Sequence, residues 1–130
     1  MEDAEFSDAF CLFLQSAIPA VDAAELLLLI ADRPEASSSA QDLIERLRPK
    51  AAMAEEDAQR HIANFQGRGL VEVDGQRQVR YRPASEDLAR HVRTLAQAYE
   101  ERPVTLVRVI YALRDAKIRS FADAFRLRKK

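Results

Sequence analysis

The sequence predicts a mainly α-helical fold with one small β-hairpin, within a single domain of 130 residues. Apolar residues recur at three- and four-residue spacing over most of the chain, which is typical of the buried face of amphipathic helices. Strand-like alternation appears only between residues 70 and 82, on either side of Asp74-Gly75, a dipeptide favoured in tight hairpin turns. A chain of this length can bury a core without disulfides or a structural metal.

The first two helices are predicted on either side of Pro19. Phenylalanine and leucine recur at helical spacing over about residues 6–17, which predicts an amphipathic helix there. Pro19 is suited to the first turn of the helix that follows, because an N–H at that position would have no helical partner. The run from Leu26 to Ile30 is apolar without a break, so we expect this second helix to be buried on nearly all sides.

Two shorter helices are predicted between residue 38 and residue 66. Ser38 and Gln41 form a capping-box pattern, which favours a helix start there, and Pro49 ends that helix. The next helix is predicted over residues 54–66, and Gly67 or Gly69 is expected to end it in a left-handed conformation. Helical spacing places three apolar residues of that helix inward: Ala58, Ile62 and Phe65.

The rest of the chain is predicted to form the hairpin and then the C-terminal helices. The strands cover Leu70–Val73 and Gln76–Arg82, and in the second strand arginines alternate with apolar residues, so the arginines face solvent. Ser85 caps a long helix, Pro103 begins another, and a last amphipathic segment runs from Ile118. The predicted domain therefore comprises an N-terminal helix at 6–17, a core at 21–84 and C-terminal helices at 85–130.

Charge is distributed unevenly along the chain, although the net charge is only −1. Residues 1–40 carry eight acidic residues and one basic residue, whereas residues 103–130 carry eight basic residues and two acidic ones. An acidic end and a basic end of this kind favour contact with each other, with another subunit or with phosphates. Two solvated faces of opposite sign are the alternative interpretation.

The sequence offers little chemistry for catalysis or metal binding. Cys11 is the single cysteine, which excludes an internal disulfide, and it is expected to be a small core residue. His61 and His91 are distant in sequence and make a weak ligand set, and the three glycines form no phosphate-binding loop. We therefore expect no enzyme activity, no catalytic residue, no metal and no cofactor. The acidic first residues and the lack of an apolar run of roughly 18 residues predict a cytoplasmic protein without a membrane span.

The order of the predicted elements and two short motifs resemble a known family. A helix, a serine loop, two short helices, the motif GLVEV, a turn and the motif QVRYRPAS resemble the winged helix-turn-helix regulators of the MarR-like kind over residues 21–84. The C-terminal sequence RPVTLVRVIYALRDAKIRSFADAFRLRKK resembles that of a group of small bacterial winged-helix proteins regarded as transcriptional regulators. The resemblance implies a winged helix-turn-helix core with extra flanking N- and C-terminal helices. It also implies that these flanking helices build a homodimer that binds double-stranded DNA.

The resemblance further implies which residues contact DNA. Residues 54–66 would be the recognition helix in the major groove and residues 76–82 the wing. Among the residues that face outward, Gln59 is suited to adenine and Arg60 to guanine. The implied wing and phosphate contacts come from the hairpin and from the serine loop with the helix that follows it: Arg77, Arg80, Arg82, Ser38, Ser39 and Gln41.

Three acidic residues at the start of the same helix, Glu55-Glu56-Asp57, leave other functions open. Carboxylates there would face a polyanion, so the alternative is that Glu55 and Glu56 bind a basic protein partner, such as part of the transcription machinery or another regulator. Acids in a first helical turn also stabilise the helix itself, by roughly 0.3–1 kcal/mol each. A third function is effector sensing, with a pocket between the core and the Phe-rich flanking helices.

Overall fold

The computed structural model describes residues 6–48 and 52–128, with side chains described as far as residue 115. Within these residues the chain is mainly helical, with six α-helices and one two-stranded antiparallel sheet. The class predicted from the sequence, mainly α with a small β-hairpin, is confirmed. The elements in chain order are α1 (Asp8–Ala17), α2 (Val21–Asp32), α3 (Ala40–Leu47), α4 (Glu55–Gly67), β1 (Val71–Val73), β2 (Val79–Tyr81), α5 (Glu86–Glu101) and α6 (Pro103–Arg128).

Helices α1 and α2 meet at a sharp bend around Pro19. Ser7 caps α1, because its hydroxyl accepts a hydrogen bond from the N–H of Phe10 at 3.1 Å. Pro19 lies outside α2, since the extended residue Ala20 is the cap whose carbonyl accepts the first helical hydrogen bonds. The expectation that Pro19 belongs to the first turn of α2 is therefore wrong. Among the described residues no single helix is long and apolar enough to cross a membrane, and α1 and α2 pass that test only as a pair bent by 98°.

The loop between α2 and α3 pairs with the hairpin. The N–H of Ser38 donates to the carbonyl of Val79 at 3.0 Å, and the N–H of Val79 donates to the carbonyl of Ser38 at 2.8 Å. Ser39 caps α3, because its hydroxyl accepts from the backbone N–H three residues later at 3.1 Å. The predicted capping box from Ser38 to Gln41 is thus wrong by one residue, since the backbone of Ser38 is held in the bridge. The predicted stop at Pro49 lies outside the described residues.

The fourth helix, α4, ends at a left-handed glycine. Gly69 has a φ of 77°, whereas Gly67 is still helical, so Gly69 is the left-handed residue of the two. A Cβ at position 69 would lie 3.1 Å from the Cβ of Ala84. Conformation and close approach therefore both favour glycine here. The inward face predicted from spacing is confirmed and also includes a histidine, since the buried residues of α4 are Ala58, His61, Ile62 and Phe65.

The two strands are joined by a five-residue loop, residues 74–78, instead of the predicted two-residue turn. Val73 pairs with Val79, which leaves the whole segment between them in the loop. Asp74 organises this loop, because its carboxylate accepts hydrogen bonds from two backbone N–H groups at 2.8 and 3.0 Å. The left-handed residue is Arg77, with a φ of 62°, and not Gly75. Both strands are shorter than the sequence predicted.

The C-terminal helices begin where the sequence predicts. The hydroxyl of Ser85 caps α5 by accepting from the N–H of Leu88 at 3.2 Å, and Pro103 begins α6. Helix α6 continues without a break to Arg128, so the separate last segment expected from Ile118 is wrong at the level of the backbone. The side chains predicted for that segment lie outside the described residues.

One hydrophobic core connects the flanking helices with the central elements. Helix α2 contacts α3, α4, α5 and β2, while α1 contacts both α5 and α6. The core therefore continues from the hairpin side of the molecule to α6 without an internal division. The largest fully buried side chains come from all these parts of the chain: Phe10, Leu14, Leu26, Leu27, Leu43, Phe65, Leu70, Leu95, Leu106 and Ile110.

Candidate functional site

The outer face of α4 carries the residues predicted to face bases. Gln59 and Arg60 are both exposed, as are Glu55 and Glu56 one turn earlier. This follows from the helical period, because the opposite face of α4 is buried in the core. The predicted orientation of these residues is confirmed, and their contact with DNA stays a prediction.

Both predicted base-facing side chains are bonded to acids of the first turn of α4. The side-chain amide of Gln59 donates to Oε2 of Glu55 at 3.2 Å. Arg60 forms an ion pair with Asp57, three residues earlier on the helix. The acids of this turn would repel DNA. They also neutralise Arg60 and occupy the side-chain amide of Gln59, the two groups predicted to contact base edges. These two contacts could have been predicted from the sequence, because residues three and four apart are neighbours on a helix surface.

The outer face of the hairpin carries the second predicted set. In β2, Val79 is buried while Arg80 and Arg82 are exposed, as the alternation predicts. Glu72 of β1 lies directly across from Arg80, and its Oε1 is 3.5 Å from Nη1 of Arg82. The ion pair of Glu72 is thus with Arg82, and since two arginines lie on this face beside one glutamate, the face keeps a positive charge. Sequence reasoning missed Glu72 as the counter-charge of this face.

Arg77 extends the positive charge to the hairpin loop. It is exposed and lies next to Gln78, one residue before the start of β2. Within the described residues, the ion pairs include neither Arg77 nor Arg80. Because these guanidinium groups have no internal carboxylate to leave, they are available to an external anion.

The serine loop lies beside β2, as the bridge between Ser38 and Val79 requires. The hydroxyl oxygen of Ser39 accepts from the first turn of α3, which leaves the hydroxyl proton free to be donated. Gln41 is exposed in that same turn. The fold therefore brings the predicted phosphate contacts of the loop and those of β2 to one edge of the molecule.

Helix α4 is anchored to both preceding helices by polar contacts. The side-chain amide of Asn64 donates to the carbonyls of Ser16 and Ala17, at 3.3 and 3.4 Å, where α1 ends. The Nε2 atom of His61 lies 3.4 Å from Oδ1 of Asp22, a buried oxygen with no hydrogen-bond partner among the described residues. These contacts fix the orientation of α4, and they give the buried histidine a structural role.

A cleft of about 650 Å³ opens between α2, α3, β2 and α5. Leu28 and Leu29 line it, so α2 is not buried on all sides as expected. The hydroxyl of Tyr99 donates to Oε2 of Glu25 at 2.7 Å, and this hydrogen bond together with burial raises the pKa of Tyr99 to about 12. The volume is within the range of roughly 300–1,000 Å³ of small-molecule sites. The cleft borders a flanking helix, but its lining includes no phenylalanine, unlike the pocket predicted for effector sensing.

The phenylalanines of α1 pack around His91 of α5. The ring of His91 stacks on that of Phe13 with centroids 5.2 Å apart, and a second cleft of about 300 Å³ is lined in part by Phe6, Phe10 and His91. Cys11 is half-buried and packs against the core. Across the described part of the chain, no group of three or more His, Cys, Asp or Glu residues is arranged to hold a metal ion.

Comparison with known proteins does not assign the chain to a family. It matches no protein-family model, no curated protein and no solved structure. The class that fold and site define is a mainly helical protein whose small hairpin presents a basic face beside a helix with an acidic first turn.

Proposed function

We propose that the chain is a cytoplasmic DNA-binding transcriptional regulator of the winged helix-turn-helix type, with α4 as its recognition helix and the hairpin as its wing. The observation that supports the proposal is the order and pairing of the elements. Three helices, α2 to α4, are followed by the hairpin, and the residue that precedes the cap of α3 pairs with β2. A helix presented in this way, with a hairpin directly after it, is suited to enter the major groove while the hairpin contacts the backbone.

In this proposal the hairpin supplies most of the attraction to DNA. Arg77, Arg80 and Arg82 are exposed, and two carboxylates of the hairpin offset them in part: Glu72, which pairs with Arg82, and Asp74, which accepts from backbone N–H groups of its own loop. A guanidinium group can contact phosphate oxygens on any sequence, and each contact releases counterions, so binding falls as salt rises. Ser39 and Gln41, beside β2, add donors for the same phosphate backbone.

Helix α4 supplies the sequence preference, through Gln59 and Arg60. Each side chain has to exchange an acid on its own helix for a base edge. An exposed ion pair is worth about 0–1 kcal/mol, whereas a good bidentate base contact is worth about 1–3 kcal/mol of discrimination. The exchange is therefore favourable when the base is the right one and close to neutral when it is not.

The test is fluorescence anisotropy of the full chain with labelled duplexes across a salt series. Arg80→Ala with Arg82→Ala should weaken binding to every sequence and lower the salt slope by about two, because two phosphate contacts are lost. Gln59→Ala or Arg60→Ala should change the sequence preference with a smaller effect on that slope. Arg90→Ala with Arg93→Ala is the matched control, since it removes two exposed arginines from α5. Binding that all four wing and helix substitutions leave unchanged would overturn the proposal.

A second candidate function is binding of a basic protein by the same face of α4. The observation that favours it is that Glu55 and Glu56 are exposed while Gln59 and Arg60 are already bonded to acids of their own helix. A surface of this kind presents carboxylates to a partner without any rearrangement. The partner would be a lysine- or arginine-rich surface of the transcription machinery or of another regulator.

Glu55→Lys with Glu56→Lys separates the two functions. Under the DNA proposal this change strengthens binding to random duplex, because two repulsive charges become attractive ones. Under the protein-binding alternative it abolishes binding of a lysine-rich peptide. Glu100→Lys with Glu101→Lys, at the exposed end of α5, is the matched control. Weaker DNA binding by the α4 variant than by this control would contradict the assignment of α4 as the recognition helix.

A further inference from the structure

The cleft between α2, α3, β2 and α5 has an apolar wall that the fold leaves open to water. Its volume is about 650 Å³, and the wall includes Leu28, Leu29, Val92 and Ala96. The two leucines are only half-buried, although the residues on either side of them in the same apolar run are buried. A cleft of this size, with an apolar wall and a few polar groups, is typical of a small-molecule site. The polar groups at its two ends then select the chemistry of the ligand.

One end of the cleft is acidic. The hydroxyl of Tyr99 donates to Oε2 of Glu25 at 2.7 Å, which places the start of α2 beside the end of α5. Glu100, the next residue of α5, also lines the cleft. Tyr99 keeps its proton at neutral pH, since its pKa is raised to about 12, so this end carries the charges of two carboxylates. A carboxylate has two oxygens, and Glu25 can therefore accept from a ligand while it holds Tyr99.

The opposite end of the cleft carries a half-buried base, Arg46 of α3. This residue also borders a small cavity lined in part by Arg33 and Val79, so it lies beside the end of α2 and beside β2. Within the described residues, the ion pairs do not include Arg46. Partial burial of a charged group without a partner costs free energy. An anion that enters this end of the cleft would supply the missing partner.

Two further charged residues of the lining, Arg93 and Asp32, contribute less at this end. Arg93 lies near Tyr81 of β2, because its positive charge opposes the rise in the pKa of Tyr81 that burial causes. Its guanidinium group is already bound to Glu86, with 2.6 Å between Nη2 and Oε2. Asp32 is the last residue of α2 and is exposed, and the ion pairs of the described residues do not join it to an arginine. The half-buried charge at this end is therefore positive.

We propose that the cleft binds a small zwitterion, with its ammonium group at Glu25 and Glu100, its carboxylate at Arg46 and an apolar body between them. The span is set by α2, because Glu25 and Asp32 are seven residues apart, or about 10 Å at a rise of about 1.5 Å per residue. A ligand with a single charge would complement one end of the cleft and leave the other unpaired. The exposed arginines of the hairpin do not line the cleft, so this inference goes beyond DNA binding and stands or fails independently of it.

The test compares three probes of one chain length, titrated into the isotope-labelled full chain without DNA and followed by two-dimensional NMR. ω-Aminooctanoate carries both charges about 10 Å apart, from bond lengths of about 1.5 Å, whereas octylamine carries only the ammonium group and octanoate only the carboxylate. The zwitterion should bind at least about fivefold more tightly than either, because it makes both charged contacts. Its amide shifts should be concentrated at the wall of the cleft. Equal or tighter binding of octanoate or octylamine would overturn the ligand class, and absence of shifts with millimolar zwitterion would overturn the site.

Two substitutions assign the ends of the cleft. Glu25→Gln should weaken binding of ω-aminooctanoate and octylamine by about tenfold and leave octanoate unchanged, since an amide oxygen still accepts from Tyr99 but carries no charge. Arg46→Gln should weaken ω-aminooctanoate and octanoate by about the same factor and leave octylamine unchanged. The matched controls are Glu45→Gln and Arg48→Gln, two exposed positions outside the lining, and they should bind all three probes as the wild-type chain does. Zwitterion binding that neither cleft substitution weakens, or that the controls weaken equally, would overturn the proposal.

Discussion

The outer faces of α4 and of the hairpin differ in what already binds their arginines. On α4, Arg60 is paired with Asp57, and Gln59 donates to Glu55. On the hairpin, Arg82 pairs with Glu72, while the ion pairs among the described residues include neither Arg77 nor Arg80. The face of α4 is acidic, with three carboxylates and one guanidinium group, whereas the hairpin has three arginines and two carboxylates. An approaching polyanion is therefore attracted first by the hairpin. Gln59 and Arg60 leave their acids on α4 only for a group that binds them more strongly.

A small domain with two such faces can separate attraction to DNA from selection of a sequence. Guanidinium groups without an internal partner attract any phosphate group. Salt in the solution shortens the distance over which this attraction acts. Side chains that are bonded to their own helix respond only to a group with matching geometry. The junction between α4 and β1 sets the relation of the two faces, and it depends on Gly69.

The largest expected effect therefore comes from the junction itself. Gly69→Ala should lower the free energy of unfolding by about 2 kcal/mol, because a left-handed residue gains a Cβ and that atom crowds Ala84. Urea denaturation measures this change. Gly67→Ala is the control of opposite sign, because it lies in the helix with open space around it, and it should stabilise by about 0.5–1 kcal/mol. Equal free energies of unfolding for the two variants would mean that Gly69 does not fix the junction between α4 and β1, and so does not set how the two faces are placed.

An intermediate effect is expected from releasing Arg60. Asp57→Asn removes its partner and one repulsive charge, so affinity for random duplex at low salt should rise by about threefold to tenfold, as expected for one more phosphate contact. The same change should cost about 0.3–1 kcal/mol of stability, since an acid is lost near the N-terminus of α4. Anisotropy and thermal unfolding measure the two effects. Glu100→Gln removes a charge from α5 and serves as the control, and an equal gain in affinity there would show that net charge alone is responsible.

The smallest expected effect is at the tip of the hairpin. Arg77 has a φ of 62°, so Arg77→Gly relieves a left-handed conformation and should stabilise the chain by about 0.5–1 kcal/mol, after the entropy of the added glycine is counted. Its affinity for DNA should nevertheless fall, because one arginine of the basic face is lost. Gln76→Gly, in the same loop without a positive φ, should destabilise instead. A loss of stability in Arg77→Gly would show that the loop does not hold its left-handed residue there in solution.

Much of the fold could be predicted, because apolar spacing decides which helix faces are buried. The inward face of α4 and the caps and starts of α5 and α6 follow from residues that act locally, such as Ser85 and Pro103. The bridge at Ser38 could not be predicted, since a single extended residue has no periodicity. The continuity of α6 was missed because its apolar residues change face after Leu113, and this change looks like the start of a new segment.

The residues of the candidate site could be predicted from the sequence better than their ion-pair partners could. Alternation along β2 is enough to turn Arg80 and Arg82 outward. Their counter-charge depends on the register of the hairpin, however. A two-residue turn would place Glu72 opposite Arg77, whereas the five-residue loop places it opposite Arg80. That loop length comes from the hydrogen bonds of Asp74, which compete with the tight turn that Asp74-Gly75 favours.

The most direct measurement of the central claim is binding of the wild-type chain to random duplex DNA and to the DNA upstream of its own coding sequence, across a salt series. The account predicts salt-sensitive binding to both, with a slope that reflects the basic hairpin, and a preference for one sequence that reflects Gln59 and Arg60. Absence of binding at low salt with micromolar protein would contradict it. The acidic first turn of α4 would then dominate the surface, and a basic protein would become the partner to test.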